Sequence, residues 1–230
     1  MKISILIPTY NEENTLIKII DKTLDNRKYD LEVIIIDDGS TDNTLEILKR
    51  KYSVNKKIKI IENKINFGKG YSIRKGIEVS TGEIILIQDA DLEYDPSEHN
   101  RLLDPIANNL ADVVYGSRFV GSDPHRAIYF FNRVANLLLT TLSNVLTNLN
   151  LTDMETGFKA FNSEILKSIS LKENGFGIEP ELTVMLAKKK ARFIEVGVSY
   201  FGRSYEEGKK IRAVHFFEAI FVLLKKRIFS

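Results

Sequence analysis

Two aspartates one residue apart, Asp89-Ala90-Asp91, follow the run Ile84-Ile85-Leu86-Ile87-Gln88. In an extended segment, side chains two apart point the same way. Two hard oxygen ligands on one side suit Mg²⁺ or Mn²⁺, which take few protein carboxylates and complete their shells with substrate phosphates. Thr81-Gly82 before the run and Asp95-Pro96 after it mark it as a buried strand. Its carboxylates then fall at the strand's C-terminal end, the edge where open α/β sheets bind ligands. Alone, the tripeptide favours a solvated loop, because such pairs are common, and the rest of the chain decides.

Three more segments fall at predicted strand ends: Pro8-Thr9-Tyr10-Asn11-Glu12, Asp37-Asp38-Gly39-Ser40 and Asn66-Phe67-Gly68-Lys69-Gly70. Gly68 and Gly70 open a helix whose free N–H groups, with the charge of Lys69, offer a cradle for a diphosphate. The spacing is neither the P-loop nor the dinucleotide fingerprint. Asp37 is placed to accept a hydrogen bond from a base N–H. Taken singly, each glycine serves a turn and each aspartate a cap as readily. Four together on one edge favour a nucleotide-diphosphate site with a metal, its donor-binding residues being Pro8, Tyr10, Glu12, Asp37, Asp38, Gly68, Lys69, Gly70, Gln88, Asp89, Ala90 and Asp91.

The elements that position these residues alternate. Strands are expected at Lys2–Pro8, Leu31–Ile36, Lys57–Ile61 and from Ile84. Between them lie helices from Glu12 to about Leu24 with Asn11 as N-cap, around Leu45, Leu48 and Tyr52, and from Gly68 through Val79. Strand–helix alternation indicates a parallel sheet with helices on both faces. Beyond it come a helix from Pro96 to Asn109 broken or kinked at Pro105, and a strand over 112–116. A long helix from Arg126 to Asn148 follows, with a polar stripe at Arg133, Asn136, Thr140, Ser143 and Thr147. Then come a strand at Phe158–Phe161, a short helix capped by Ser163, a helix at Glu179–Lys190 and a strand over Arg192–Phe201. The chain ends in a charged loop at 202–212 and a helix at 213–228. His99, His125 and His215 lack ligand spacing and read as surface residues.

The 230 residues are 43% hydrophobic, enough for one large core. The formal charge of +2 argues against bulk nucleic-acid binding, and the absence of cysteine excludes disulfides and thiolate chemistry. The N-terminus enters a strand directly, with no signal peptide, and no run reaches the ~20 apolar residues of a spanning helix.

In order and type these segments resemble the inverting GT-A glycosyltransferases. Gly116-Ser117-Arg118-Phe119, Asp153-Met154-Glu155-Thr156-Gly157-Phe158, and Gly202-Arg203 with Glu207-Gly208-Lys209-Lys210 are similar to the dolichol-phosphate mannose synthase group. Glu93 stands where that group often has Gln, and the Arg203–Lys209 loop departs from its usual form. The resemblance implies a single GT-A (Rossmann-like) α/β domain over 1–212, with a C-terminal amphipathic helix over 213–230. It also implies a metal-dependent hexose transfer from a nucleotide sugar to a polyprenyl or dolichyl phosphate with inversion, GDP-mannose ranking before UDP-glucose. Mg²⁺ or Mn²⁺ would sit on Asp89 and Asp91, with Glu93 a possible third ligand. Arg118, Arg203 and Lys209 would hold the acceptor phosphate and the diphosphate. Glu181 would line the sugar pocket.

A phosphate nucleophile is already mostly dianionic at pH 7, its second pKa being about 6, and needs no strong base. A sugar hydroxyl in a cell-surface glycan is the alternative acceptor, and would need one, with Asp153 or Glu155 the candidates. A non-catalytic nucleotide-sugar binding module is the third reading; it predicts a broken metal motif, whereas both aspartates are present. From Arg203 onward seven Lys/Arg face three Glu. The apolar stretch Ala213–Leu224 ending in Lys225-Lys226-Arg227 is expected to lie on an anionic membrane surface, on the cytoplasmic face, with the 126–148 helix beside it.

Overall fold

The computed structural model describes residues 1–121, 124–127, 129–204, 206 and 213–229. The first half alternates as expected: β1 (Lys2–Thr9), α1 (Leu16–Leu24), β2 (Asp30–Asp37), α2 (Thr44–Tyr52), β3 (Ile58–Glu62), α3 (Lys69–Val79) and β4 (Ile84–Ile87). The second half contains α4 (His99–Ala107), β5 (Val113–Ser117), α5 (Phe130–Thr147), β6 (Lys159–Asn162), α6 (Ser163–Lys167), α7 (Ile178–Lys188), β7 (Phe193–Gly197) and α8 (Ala213–Phe229). Among the described residues seven strands form one sheet in the order β3-β2-β1-β4-β6-β5-β7.

Six strands run the same way, and β6 runs against β4 and β5. That reversal places the start of β6, and the loop before it, at the edge where the other strands end. Residues 153–158 therefore meet the ends of β4 and β5. Period-2 alternation splits the core into two layers. Ile3, Ile5 and Ile7 pack with Leu16, Ile19 and Ile20 of α1 and Leu102 and Leu103 of α4. Leu6 faces the other way, onto Ile73 and Ile77 of α3 and Leu182 and Leu186 of α7.

Several boundaries differ from expectation for physical reasons. Asn11 does not cap α1. It is left-handed at φ 51, and its Oδ1 accepts the Thr41 N–H at 2.8 Å, clasping the turn after β2. Pro105 lies within α4, two residues from its end, so the helix is not broken there. Asn162, not Ser163, caps α6, accepting from the Glu164 and Ile165 N–H groups. His99 is not at the surface. It is fully buried, and burial depresses its pKa to about 3, so it is neutral.

The polar stripe of α5 faces inward: Asn136, Thr140 and Ser143 are buried, while Phe130 is 72% and Phe131 81% exposed, with Leu137, Leu138 and Val145 exposed too. Inward polarity is satisfied in part by loop 149–154, Asn136 Nδ2 and Ser143 Oγ having no hydrogen-bond partner among the described residues. Thr140 accepts the Met154 N–H at 3.1 Å, and the Asn144 amide exchanges two hydrogen bonds with the Leu151 backbone at 2.7 and 2.9 Å. Beside it α8 buries Ala219 and Leu223 against Leu139, Met154 and Val184, and exposes Phe217, Phe221, Leu224 and Ile228.

The basic end of α8 is not uniformly exposed. Lys226 is buried, its ammonium on the Glu181 carboxylate and 3.4 Å from Glu173. Glu181 also accepts the Lys172 and Glu173 N–H groups, so it anchors α8 rather than lining a sugar pocket. Lys226→Ala strands a buried carboxylate and should cost about 3 kcal/mol. Lys225→Ala, at a half-exposed site, should cost about 0.5 kcal/mol or less. Urea midpoints at unchanged m-value measure both, and equal small losses would refute the anchoring role.

Candidate active site

β1 and β2 end in register, Thr9 opposite Asp37. Pro8 and Tyr10 are half-buried there. Asp37 is fully buried. One oxygen accepts the Ser40 N–H at 3.1 Å, and its Oδ1 has no hydrogen-bond partner among the described residues. Burial raises its pKa. An orphaned buried acceptor is costly, and a base N–H would satisfy it. Asp38 has a different role. Its oxygens accept Phe67 N–H at 3.1 Å and Gly68 N–H at 2.7 Å, holding the loop that leads into α3. The glycines of that loop have a backbone neighbour. Gly68 has φ 103, and a Cβ on it would meet the Asn174 carbonyl at 2.5 Å, while one on Gly70 would collide with that of Glu173. Glycine at these positions thus lets residues 173–175 cross the start of α3.

Beyond β4 the carboxylates gather, each matched by a cation. Lys69 Nζ lies 2.7 Å from Asp89 Oδ1 and 3.2 Å from Glu179 Oε1. Burial disfavours its ammonium, but Asp89 and Glu179 outweigh burial and raise its pKa. Arg203 reaches in from the loop after β7. Its guanidinium lies 2.7 Å from Asp91, 3.2 Å from Glu12 and 3.6 Å from Glu93. Asp91 is pushed up to about 7 by burial, then by Glu93 and Asp89, with Arg203 opposing. Glu93 accepts the Tyr200 hydroxyl at 2.9 Å and the Arg203 N–H at 2.7 Å. Gln88 is buried. Its Nε2 donates to the Asp89 carbonyl at 3.1 Å, and its Oε1 lies 2.9 Å from His99 Nε2, so it braces the motif from behind. Ala90 is held by Thr15, whose hydroxyl donates to its carbonyl at 3.0 Å.

The donor set suits a hard divalent ion: two carboxylates whose mutual repulsion a cation relieves. Among the described residues no three metal-ligating side chains converge, and Glu93 is turned to Tyr200 and Arg203. Asp89 and Asp91 fit such an ion if substrate oxygens complete its shell.

On the far side, Arg118 after β5 is clamped by fully buried Asp153 through Nε at 2.6 Å and Nη2 at 2.7 Å. Its guanidinium lies 5.6 Å from the Phe119 ring and 5.1 Å from Tyr200, and Arg133 lies 5.4 Å from the same Phe119 ring. These residues with His125 and Ala127 line a cavity of about 120 Å³. Glu155 follows Asp153. Burial first and Glu179 second push its carboxyl up to about 7, and its Oε1 has no hydrogen-bond partner among the described residues. Lys209 lies outside the described residues.

Sequence reasoning missed Lys159, Glu179, Tyr200 and the use of Arg133. Lys159 did carry a signal, a charge inside the apolar strand Phe158–Phe161. Glu179 had none, since nothing local marks an acidic first turn as buried.

The fold is that of a GT-A glycosyltransferase. The chain belongs to glycosyl transferase family 2, whose model matches residues 4–170. It is 29% identical to the dolichol-phosphate mannosyltransferase of Pyrococcus furiosus, over 92% of this chain and 61% of that protein. It is 28% identical to the UDP-N-acetylglucosamine–dolichyl-phosphate N-acetylglucosaminyltransferase of Methanococcus voltae, over 96% of this chain and 94% of that one. Its fold matches the glucosyl-3-phosphoglycerate synthase of Mycobacterium tuberculosis, solved with Mn²⁺, UDP and phosphoglyceric acid, at TM-score 0.75 and 19% identity, covering 100% of this chain and 79% of that one.

Glu155 makes stability depend on pH. Its folded pKa of about 7 lies above the ordinary 4.5, so between those values the folded chain keeps a proton the unfolded chain has lost. Its contribution therefore falls as pH rises through that window. Glu155→Gln should gain stability relative to the parent between about pH 5 and about pH 8, read as the difference in urea midpoints. A constant difference would show that the carboxyl titrates normally.

Proposed function

We propose that this glycosyltransferase moves a hexose, with inversion, from a nucleotide sugar to a polyprenyl phosphate at a membrane surface. The observation that carries the acceptor assignment is the cavity of Arg118, Arg133, Phe119 and Tyr200. Two guanidiniums beside one ring suit a phosphate: Arg118 offers the N–H groups that Asp153 does not hold, and Arg133 adds a second guanidinium. Asp153 fixes the orientation of Arg118, and Tyr200 joins this cavity to the carboxylate cluster through Glu93. The donor base would satisfy Asp37 Oδ1, and the diphosphate would lie toward Lys69. Asp89 and Asp91 would hold Mg²⁺ or Mn²⁺, which when bound neutralises charge developing on the leaving diphosphate. Arg203, now on Asp91, would be free to meet a phosphate once that carboxylate has a metal partner.

The membrane assignment rests on α5 and α8. No helix among the described residues is long and apolar enough to cross a bilayer. Yet Phe130, Phe131, Phe217 and Phe221 are exposed, and Tyr129 beside them is half-exposed. Lys225 and Arg227 stand at the end of α8. Aromatic side chains with nearby cations fit the headgroup region of an anionic leaflet. Binding to anionic vesicles should weaken with salt, and Phe131→Ser with Phe217→Ser should lower the bound fraction severalfold in co-sedimentation. An intact protein that stays in the supernatant at low salt ends this reading.

Glu155 supports one second reading, a hydroxyl acceptor, since a carboxylate with a pKa of about 7 is tuned to act as a base. Asp153 is a poor base while it holds Arg118. A screen of UDP-glucose, UDP-N-acetylglucosamine and GDP-mannose with a short polyprenyl phosphate and Mn²⁺ separates the two. Transfer to the lipid is expected, abolished by chelator and lowered at least about 100-fold by Asp91→Asn. Glu155→Gln should keep transfer within about tenfold. A loss of about 100-fold or more in that variant, with donor binding intact, would show that transfer needs a base and would favour the hydroxyl reading instead.

A further inference from the structure

Lys69 stands at the end of a buried chain of alternating charge. Glu179, at the first turn of α7, has one carboxylate oxygen 3.2 Å from Lys69 and the other on the Lys159 ammonium. Lys159 is fully buried at the start of β6, and its ammonium also donates to the Thr156 carbonyl. Thr156 precedes Gly157, whose Cα lies so close to Asp89 that a Cβ there would sit on Oδ2. Three elements, α3, β6 and α7, thus converge on the side chain that pairs with Asp89.

We propose that Glu179, backed by Lys159, is a positioning residue that holds the Lys69 ammonium where the donor's diphosphate binds. The proposal rests on the nucleotide-sugar reading above. A lysine is a compact charge on a flexible stem, and fixing it costs rotamer entropy. Asp89 alone is an unreliable anchor, because a divalent ion on that carboxylate competes with Lys69. Glu179 keeps its hold whatever Asp89 does. Nor is the Lys69 contact needed to neutralise Glu179, since Lys159 already does so within a closed buried pair. The effect of the contact therefore falls on Lys69. Lys159 in turn keeps Glu179 ionised: its pKa is lowered, burial opposing and the two lysines prevailing.

The test is calorimetric binding of UDP and GDP, and of UMP and GMP, with Mn²⁺, to the full chain. Glu179→Gln should weaken the diphosphate that binds about tenfold and leave the matching monophosphate within about twofold. Lys69→Ala should weaken the same diphosphate at least as much. Adding Glu179→Gln to Lys69→Ala should change little, because residues acting through one contact are not additive. Glu179→Asp keeps the charge but withdraws it, and should fall between parent and Gln; it also serves if the Gln variant does not fold. Unchanged diphosphate affinity, additive losses, or equal loss of mono- and diphosphate would each overturn the proposal. Failure of the parent to bind either diphosphate would overturn the nucleotide-sugar reading, and this proposal with it.

Discussion

The sheet edge that carries the chemistry is crowded with negative charge, and much of the molecule is arranged to tolerate it. Glu12, Asp89, Asp91, Glu93, Asp153 and Glu179 stand on or beside it, most of them largely buried. Unpaired carboxylates there would either take up protons or destabilise the fold. Each has a cation within reach: Lys69 and Lys159 on one side, Arg203 in the middle, Arg118 on the other. Glu155 makes no ion-pair contact among the described residues, Lys159 and Arg118 opposing its shift only from a distance, and it is the carboxylate besides Asp91 whose pKa rises to about 7. The cations come from α3, β6, the loop after β5 and the loop after β7, so meeting this one constraint ties both halves of the chain to the same edge.

The reversed strand makes that possible. A fully parallel sheet would send the segment before each strand to the opposite edge. With β6 antiparallel, Gly157 arrives beside Asp89, and Asp153 beside Arg118 after β5. The rest of the edge follows the usual α/β rule, in which ligand-binding residues follow strand ends.

The first half of the fold was legible because its signals are local. Apolar runs marked β1, β2 and β4 as buried on both faces, and the carboxylates stood where the runs stopped. What was not legible depends on partners distant in sequence. His99 reads as a surface residue until β4 brings Gln88 to it. Gly68 and Gly70 read as a phosphate cradle because nothing near them announces that residues 173–175 cross over them. The stripe on α5 could be seen but not its direction, since amphipathicity identifies two faces without saying which one meets the core. Lys226 likewise sits in a basic run, and only Glu181, 45 residues away, separates it from its neighbours.

The order of residues along the chain has a consequence for synthesis. Glu12, Asp89, Asp91 and Glu93 all leave the ribosome before Lys159, and well before Arg203. The partnership of Asp91 with Arg203 spans 112 residues, and that of Glu12 spans 191. Contacts of such separation form late, because the loops they close must be paid for in entropy first. The nascent sheet β3-β2-β1-β4 therefore pairs while its working edge still lacks these later cations, with Lys69, water and ions as its screen. The edge closes last, when nearly the whole chain has emerged.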